Sequence, residues 1–433
     1  MGKKGLTRGG GPATARKEKA ISGSPLYDPA TGLPGRELFE DRLRRALARA
    51  DRSRYLVALL CVDLAGPPDW LDRRAAERLE AYLRATDTVA RYRSQGFSVI
   101  QTDLNHFDNA AFLAQKLLSA LDRPDEAYIG IALYPDDDRA ADGLIVKAEQ
   151  AAALARAEGQ RYRFHTAAVT AAARARVDLG RDLHQALPRK ELVLHFQPKV
   201  DLVRRAIVGV EALLRWRHPV RGMVPPEEFL HIAEETELIV PIGEWALRRA
   251  CVEGRSFVAA GDLPLRIAVN VAAEQLARPG FAAVVTGILD ETGLDPRRLE
   301  LEISERTIME DAPAAGDALE ELHRFGVEVA VDDFGTGYSS LSHLKLFPVD
   351  RLKIDKSFVA GLPDKRDDAA IVKGVIGLGH GLDLGVVAEG VDSKPQLDFL
   401  REAGCDQVQG YYYSLPLPAA EFGRLLERWV SCA

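Results

Sequence analysis

The sequence predicts an α/β protein whose C-terminal part is a (β/α)8 barrel, preceded by a smaller α+β sandwich module. Three observations predict this arrangement. The chain has 433 residues, which is too long for one ordinary domain. From residue 191, short apolar β-type runs alternate with helical segments over the roughly 250 residues that an eight-stranded barrel needs. Before that point, a β-hairpin and several helices favour an α+β sandwich of about 140 residues.

Composition narrows the class of protein. The apolar fraction of 47% is typical of a globular protein, and the net charge of −7 argues against a dedicated nucleic-acid binder, so no DNA or RNA partner is expected. The cysteines, Cys61, Cys251, Cys405 and Cys432, are widely spaced, which predicts neither disulfides nor zinc and favours a reducing cytoplasm. The most apolar run, 55–62, falls short of the ~20 residues of a membrane span.

The N-terminal 25 residues differ from the rest of the chain. They are rich in Gly, Ala, Lys and Arg and have no apolar periodicity, so residues 1–25 are expected to be a disordered basic tail. Contact of this tail with anionic lipid or nucleic acid is the alternative interpretation.

The first folded module is predicted over residues 26–164. Its predicted helices are 36–51, 72–84, 110–121 and 140–157, and its predicted strands are 55–64, 88–92, 97–102 and 127–133. Residues 165–189 have few helix breakers, and Leu179, Leu183 and Leu187 recur every four residues. We therefore expect a helical connector there, either coupling the two modules or simply packing on the second.

The barrel is predicted over residues 190–433. Its candidate strands are 192–200, 207–214, 266–271, 299–303, 328–332, 351–354, 385–388 and 407–412. Helical segments separate most of them, for example 242–260, 313–325, 369–380, 395–403 and 419–430.

A polar residue interrupts or closes each predicted strand near its C-terminal end. These residues are Gln197, Glu211, Asn270, Glu302, Asp332 with Asp333, Lys353 with Asp355, Glu389 and Gln409. In a barrel these ends meet on one face, where active sites lie. A single acid there is usually paired with a loop cation or exposed to water. Five or more converging acids repel one another unless cations compensate them, and Lys353 and Arg215 are too few.

This set of residues suits divalent cations. Ligation by oxygen alone, including the amide of Asn270, favours Mg²⁺ or Mn²⁺ over zinc. The adjacent Asp332 and Asp333 can share a bridging ligand only where the strand ends, since neighbouring strand residues otherwise point to opposite faces. Two cations per site suit hydrolysis of a phosphate ester, with Lys353 near the attacking water. A metal-dependent lyase or isomerase with Lys353 as base is an alternative of another class.

The first module carries motifs of a known family. Asp28-Pro-Ala-Thr-Gly-Leu-Pro-Gly-Arg36 and Tyr128-Ile-Gly-Ile-Ala-Leu-Tyr-Pro135 resemble signatures of GGDEF domains, the diguanylate cyclases. In that family the hairpin turn carries glycines and acids that hold nucleotide and metal. Here the turn at 93–97 reads Arg-Ser-Gln-Gly-Phe, and Asp63 alone remains of the metal acids. The resemblance therefore implies a degenerate, cyclase-like module without cyclase activity.

One short pattern in this module has two interpretations. Arg84 and Asp87 have the form and offset of the family's inhibitory product-binding site. The alternative, which we favour, is an ion pair at the end of a helix.

The barrel region resembles a second family. Glu211-Ala-Leu-Leu-Arg-Trp216 is similar to the signature of EAL domains, the cyclic di-GMP phosphodiesterases. Further family motifs follow in family order: Phe196-Gln-Pro198, Val269-Asn-Val271, Glu302-Ile-Ser-Glu305, Asp332-Asp-Phe-Gly-Thr-Gly-Tyr-Ser-Ser-Leu341, Leu352-Lys-Ile-Asp355, Ala388-Glu-Gly-Val391 and Gln409-Gly-Tyr-Tyr412. The resemblance extends from about Leu179 to Val430 and implies a barrel with one reversed strand.

The resemblance implies a role for each matched position. The implied metal ligands are Glu211, Asn270, Glu302, Asp332, which bridges the two ions, and Asp333. The implied catalytic residues are Lys353 at the attacking water, Glu389 in the polar shell, and Glu305, which anchors the loop 332–341. The implied substrate contacts are Gln197, Arg215, Asp355 and Gln409.

The implied activity is hydrolysis of cyclic di-GMP to linear pGpG by a cyclic-guanylate-specific phosphodiesterase, with a homodimer formed through the barrel. A non-catalytic cyclic di-GMP receptor or scaffold is the alternative, and the presence of every metal acid favours the enzyme. Three positions depart from the family pattern. Arg306 replaces a usual Ser, Asp392 a usual Glu, and Glu237 a common Gly.

Overall fold

The computed structural model describes residues 26–53, 55–64, 73–93, 96–121, 124–261, 265–305, 307, 312–335 and 347–432. The predicted basic tail, residues 94–95 of the hairpin turn at 93–97, Arg306 and residues 336–346, which include positions 336–341 of the loop 332–341, therefore lie outside the described residues. The chain divides into two compact units, Met1–Arg181 and Asp182–Ala433. Among the described residues, no helix combines the length and apolar character that crossing a membrane requires.

The first unit is built on a five-stranded mixed sheet with strand order β2-β3-β1-β4-β5. Its strands are β1 (Leu56–Leu64), β2 (Thr88–Arg93), β3 (Gly96–Leu104), β4 (Ala127–Tyr134) and β5 (Tyr162–Phe164). Its helices are α1 (Arg36–Ser53), α2 (Arg73–Glu80), α3 (Asp108–Ala120) and α4 (Ala141–Ala157). The predicted hairpin of β2 and β3 is confirmed, and the short β5, parallel to β4, was not predicted.

Apolar residues at helical spacing build the core of this unit. Phe39, Leu43 and Leu47 of α1 are buried together with Leu59 of β1 and Ile145 of α4. Their spacing of about one helical turn keeps the α1 side chains on one face, so α1 packs against the sheet.

Helix α5 (Ala167–Ala186) lies mostly in the first unit and contains the division between Arg181 and Asp182. It falls within the segment predicted to be helical. Leu179 and Leu183 are buried, as their spacing of four residues indicates.

The second unit is a closed barrel of eight strands, which confirms the predicted fold class. The barrel strands are β6 (Leu192–Asp201), β7 (Ala206–His218), β9 (Arg266–Val271), β10 (Leu299–Ser304), β11 (Glu328–Phe334), β12 (Arg351–Ile354), β13 (Gly385–Ala388) and β14 (Gln407–Val408). Strand β6 is antiparallel to both neighbours, β7 and β14, and it closes the barrel. The other neighbouring strands of the barrel are parallel, so β6 is the expected reversed strand.

Helices and two short strands complete the unit. The helices are α6 (Pro226–Glu235), α7 (Ile239–Gly261), α8 (Ala273–Leu276), α9 (Phe281–Thr292), α10 (Ala312–Phe325), α11 (Lys356–Val359), α12 (Arg366–Gly381), α13 (Lys394–Glu402) and α14 (Ala419–Cys432). Strand β8 (Gly222–Val224) forms a hairpin with β7, and β15 (Leu417–Pro418) pairs with β6.

The last barrel strand is shorter than predicted. We expect 407–412 from the sequence, but β14 ends at Val408. The chain bends at Gly410, where a Cβ atom would lie 2.1 Å from the carbonyl oxygen of Val391. Only glycine allows this approach, and the bend leaves Gln409 immediately beyond the strand.

Strand β11 also differs from the expectation, because it does not end at Asp332. It continues to Phe334 through an irregularity in its pairing with β12 between Val331 and Phe334. Asp333 has a φ of 55°, in the left-handed region that L residues rarely adopt. A bulge, and not a strand end, therefore breaks the alternation of side chains at the two acids.

Candidate active site at the barrel mouth

Lys353 is the centre of the polar cluster at the C-terminal ends of the barrel strands. Its side chain is buried, and its Nζ lies 2.7 Å from Glu302 Oε2, 3.0 Å from Asp332 Oδ2 and 2.6 Å from Glu389 Oε1. Glu211 Oε2 is 3.8 Å away. Four strands thus bring four carboxylates to one ammonium group.

Two amides hold the carboxylate of Glu211 in place. Asn270 Nδ2 donates to Glu211 Oε1 at 2.6 Å, and Gln409 Nε2 donates to Glu211 Oε2 at 2.6 Å. Gln409 also donates to Gln197 Oε1, and Gln197 stands opposite Glu211 across the β6–β7 pair. Gln197 in turn donates to the carbonyl oxygen of Ser414.

The negative charge of the cluster exceeds what its lysines balance. Burial, together with the nearby Glu302, raises the pKa of Glu211 to about 7. Burial raises the pKa of Glu389 to about 8, although Lys353 opposes the shift. For Glu302, burial is outweighed by Lys199 and Lys353, and its pKa lies below the usual range. The site therefore holds carboxylates that favour either a proton or another cation.

The bulge in β11 brings Asp332 and Asp333 to the same site. Asp333 donates its backbone N–H to Asp332 Oδ1 at 2.9 Å. Burial raises the pKa of Asp333 to about 6, and the neighbouring charges of Asp332 and Asp355 add to the shift. Asp355 caps helix α11 by accepting the backbone N–H of Ser357.

Glu305 holds the start of the loop that follows β11. Its Oε2 accepts the backbone N–H of Gly335 at 2.9 Å, and Gly335 has a φ of 99° that favours glycine. The carboxylate of Asp392, one of the three departures from the family pattern, accepts the backbone N–H of Tyr411 at 3.2 Å.

Arg215 lies at the edge of the acid cluster, where Glu211 is among the acids that act on its charge. Its guanidinium is half-buried, and Nη1 donates to the carbonyl oxygen of Leu214 at 2.8 Å. Among the described residues, Arg215 is therefore not one of the cations in direct contact with the acid cluster, and its contact with the substrate stays a prediction.

The second cation is Lys199, which the sequence reasoning missed. It is 2% exposed, and its Nζ lies 2.5 Å from both Glu300 Oε1 and Glu302 Oε1. The signal was present, because Lys199 follows Gln197 by two residues in a strand, and such residues point to the same face.

The donor chemistry of the site fits Mg²⁺ or Mn²⁺. Within the part of the chain that the structure describes, no three acidic, histidine or cysteine side chains are spaced to hold one metal ion. Instead, the ammonium of Lys353 lies among the carboxylates. The carboxylates of the cluster still carry more negative charge than the nearby lysines balance. Their oxygen atoms are the ligands that hard divalent cations such as Mg²⁺ prefer.

In the first unit, the acids of the candidate sites are held by a basic side chain or by backbone N–H groups. Asp63 Oδ2, the remaining acid of the cyclase pattern, lies 3.6 Å from Arg156 Nη1 of α4. The carboxylate of Asp87 accepts the backbone N–H groups of Arg84 and Thr102 at 3.1 Å each. Arg84 and Asp87 line a cavity of about 290 Å³.

Comparisons with known proteins agree with both resemblances. The model of the EAL domain family matches residues 180–416, and that of the diguanylate cyclase GGDEF domain matches residues 69–162. The chain is 40% identical to the bifunctional diguanylate cyclase/cyclic di-GMP phosphodiesterase MucR of Pseudomonas aeruginosa, over 94% of this chain and 62% of that protein. It is 35% identical to the cyclic di-GMP phosphodiesterase NbdA of the same organism, over 93% of this chain and 54% of that protein.

A solved structure resembles the second unit. The PaMucR phosphodiesterase in complex with c-di-GMP matches 57% of this chain and 99% of its own length, with 46% identity and a TM-score of 0.55. The chain spans about half to two-thirds of the length of the curated relatives named above. The chain belongs to the EAL domain family and carries a GGDEF domain before its EAL domain.

Proposed function

We propose that the barrel hydrolyses one phosphodiester bond of cyclic di-GMP and releases linear pGpG. The observation that carries this proposal is the set of four carboxylates around Lys353, whose negative charge the buried lysines do not balance. The names of the related proteins MucR and NbdA support the choice of substrate.

The proposal includes two divalent cations, Mg²⁺ or Mn²⁺. Glu211, Asn270, Glu302, Asp332 and Asp333 would hold them. When bound, such cations lower the pKa of water and stabilise the charge that develops on phosphorus-bound oxygens. The bulge at Asp333, next to Asp332, is the geometry that this role would need, because it breaks the alternation of side chains along the strand.

The remaining side chains would position the attacking water, the substrate and the neighbouring loop, and would stabilise the negative charge that develops. The ammonium of Lys353 would orient the attacking water and hold developing negative charge. Glu389 would hold Lys353, and Glu305 would hold the backbone at Gly335. Gln197, Arg215, Asp355 and Gln409 would contact the substrate, and Gln409 would also fix Glu211.

The first unit would regulate the barrel without making cyclic di-GMP. Its turn lacks acids, and Asp63 is near the guanidinium of Arg156. Arg156 already compensates the charge of Asp63, and no further acid of the cyclase pattern is present in the sequence, so cyclase chemistry is not supported. A homodimer formed through the barrel and a cytoplasmic location complete the proposal.

The test uses the full chain with cyclic di-GMP and Mg²⁺, followed by chromatography for pGpG. We expect product from the parent and none above background from Glu211→Ala, which removes a metal ligand. Glu291→Ala, an exposed acid paired with Arg248, is the matched control and should retain activity. Undiminished hydrolysis by Glu211→Ala would refute the assignment of the active site. Binding of cyclic di-GMP by the parent without formation of pGpG would favour the alternative of a non-catalytic receptor.

A further inference from the structure

The two carboxylate oxygens of Glu302 are held by two different lysines. Oε1 lies 2.5 Å from Lys199 Nζ, and Oε2 lies 2.7 Å from Lys353 Nζ. Lys199 is on β6 and Glu302 is on β10, and these strands are not neighbours in the sheet. The contact therefore crosses the interior of the barrel, where both side chains are buried.

A chain of alternating charges lies behind Lys199. Glu300 contacts Lys199 through Oε1 and Arg351 through Oε2, at 2.5 and 2.7 Å. Arg351 also pairs with Glu328, and Glu328 pairs with Arg266. Glu300 precedes Glu302 by two residues on β10, so both point into the barrel. This chain restrains Lys199 on the side away from the proposed metal site.

Lys199 contacts two acids that each have another basic partner. Glu300 already has Arg351 as a partner, and Glu302 already has Lys353. Burying another lysine costs several kcal/mol of desolvation unless its contacts are well formed. What Lys199 adds is a restraint on one particular oxygen of Glu302.

We propose that Lys199 is a positioning residue that holds Glu302 Oε1, so that only Oε2, which Lys353 contacts at 2.7 Å, is left to be shared with a divalent cation. This inference rests on the metal-dependent hydrolysis proposed above. A carboxylate limited to one oxygen suits Mg²⁺, which demands a strict octahedral arrangement, better than Ca²⁺, which accepts bidentate carboxylates. Partners that orient a metal ligand are typically worth about 10–100-fold in metal affinity.

The test compares the double variant K199M/E300Q with its control, the single variant E300Q, so both proteins carry Glu300→Gln. The single variant E300Q keeps an acceptor for Lys199 and should bind Mg²⁺ about as tightly as the parent in titration calorimetry. The double variant K199M/E300Q removes the Lys199–Glu300 pair but leaves Glu302 Oε1 without its lysine, so its thermal midpoint in EDTA should fall below that of E300Q, and a cooperative thermal transition shows that it folds. Its Mg²⁺ affinity should fall by about tenfold or more, and its Ca²⁺ affinity by less.

A second double variant and the parent protein provide two further measurements of Mg²⁺ binding. K199Q/E300Q, whose amide is one bond shorter than the lysine, should lose Mg²⁺ affinity in the same way. If either folded double variant binds Mg²⁺ as tightly as E300Q, Lys199 does not position Glu302. Absence of Mg²⁺ binding by the parent would instead refute the proposed function, so the two failures are distinguishable.

Discussion

Replacing Lys353 by Met should destabilise the metal-free protein and abolish turnover, while Mg²⁺ restores only stability. Three carboxylate oxygens lie within 3.0 Å of Lys353 Nζ, and a fourth lies at 3.8 Å. Removing one partner of a buried ion pair costs about 3–5 kcal/mol. For a unit of this size, about 1 kcal/mol shifts the thermal midpoint by about 2–4 °C. The expected loss in EDTA is therefore about 6–20 °C.

Mg²⁺ should reverse much of this loss, because a divalent cation replaces the missing positive charge among the acids. Turnover of cyclic di-GMP should still fall by about 10²–10³-fold, since the group that stabilises developing charge is gone. The assay is scanning calorimetry at about pH 8.5 with EDTA or Mg²⁺, where the acids are mostly ionised. The rate of cyclic di-GMP hydrolysis is measured on the same samples.

Lys394→Met is the matched control for this prediction. Lys394 pairs with Asp398 on an exposed helix surface, so its removal should cost at most about 1 kcal/mol. A metal-free Lys353→Met protein as stable as the parent, or full turnover of that variant with Mg²⁺, would refute the reasoning.

Three other predictions concern pH, backbone strain and the loop after β11. Burial raises the pKa of Glu211 to about 7 and of Glu389 to about 8, so the metal-free folded protein holds protons that the unfolded chain releases near its ordinary value of 4.5. Its stability should therefore fall as the pH rises through this range, and Mg²⁺ should raise the thermal midpoint more at about pH 8.5 than at about pH 6; equal shifts would contradict this. Glu237 has a left-handed φ of 60° between α6 and α7, a conformation that glycine adopts without strain, so Glu237→Gly should stabilise the protein by about 1 kcal/mol in urea unfolding; a lower urea midpoint would count against it. Glu305→Ala frees the N–H of Gly335 and should reduce turnover by about tenfold or more, whereas Glu305→Gln keeps an acceptor and most of the activity; equal rates for the two variants would exclude this role.

Much of the barrel was predictable because its strands obey local rules. An apolar run that Glu211, Asn270, Glu302 or Lys353 interrupts or closes predicts a strand with a polar residue near its C-terminal end, and the barrel topology brings such residues together. Those four residues do lie close together in the structure. The prediction needed only the positions of the strands.

Features that depend on contacts between distant strands were not predictable in this way. Lys199 is one polar residue in an apolar strand, and its partners Glu300 and Glu302 are about a hundred positions away in the chain. The bulge at Asp333 depends on a left-handed φ that an aspartate adopts only when the surrounding structure compensates the strain. The early end of β14 depends on how closely Gly410 approaches Val391.

Hydrolysis in water enriched in ¹⁸O tests the central claim most directly. The full chain is incubated with cyclic di-GMP and Mg²⁺, and the products are analysed by mass spectrometry. The account predicts pGpG with one ¹⁸O atom in its terminal phosphate, formed with Mg²⁺ and not with EDTA. Cyclic di-GMP that binds but stays intact, or product formed equally well in EDTA, would contradict it.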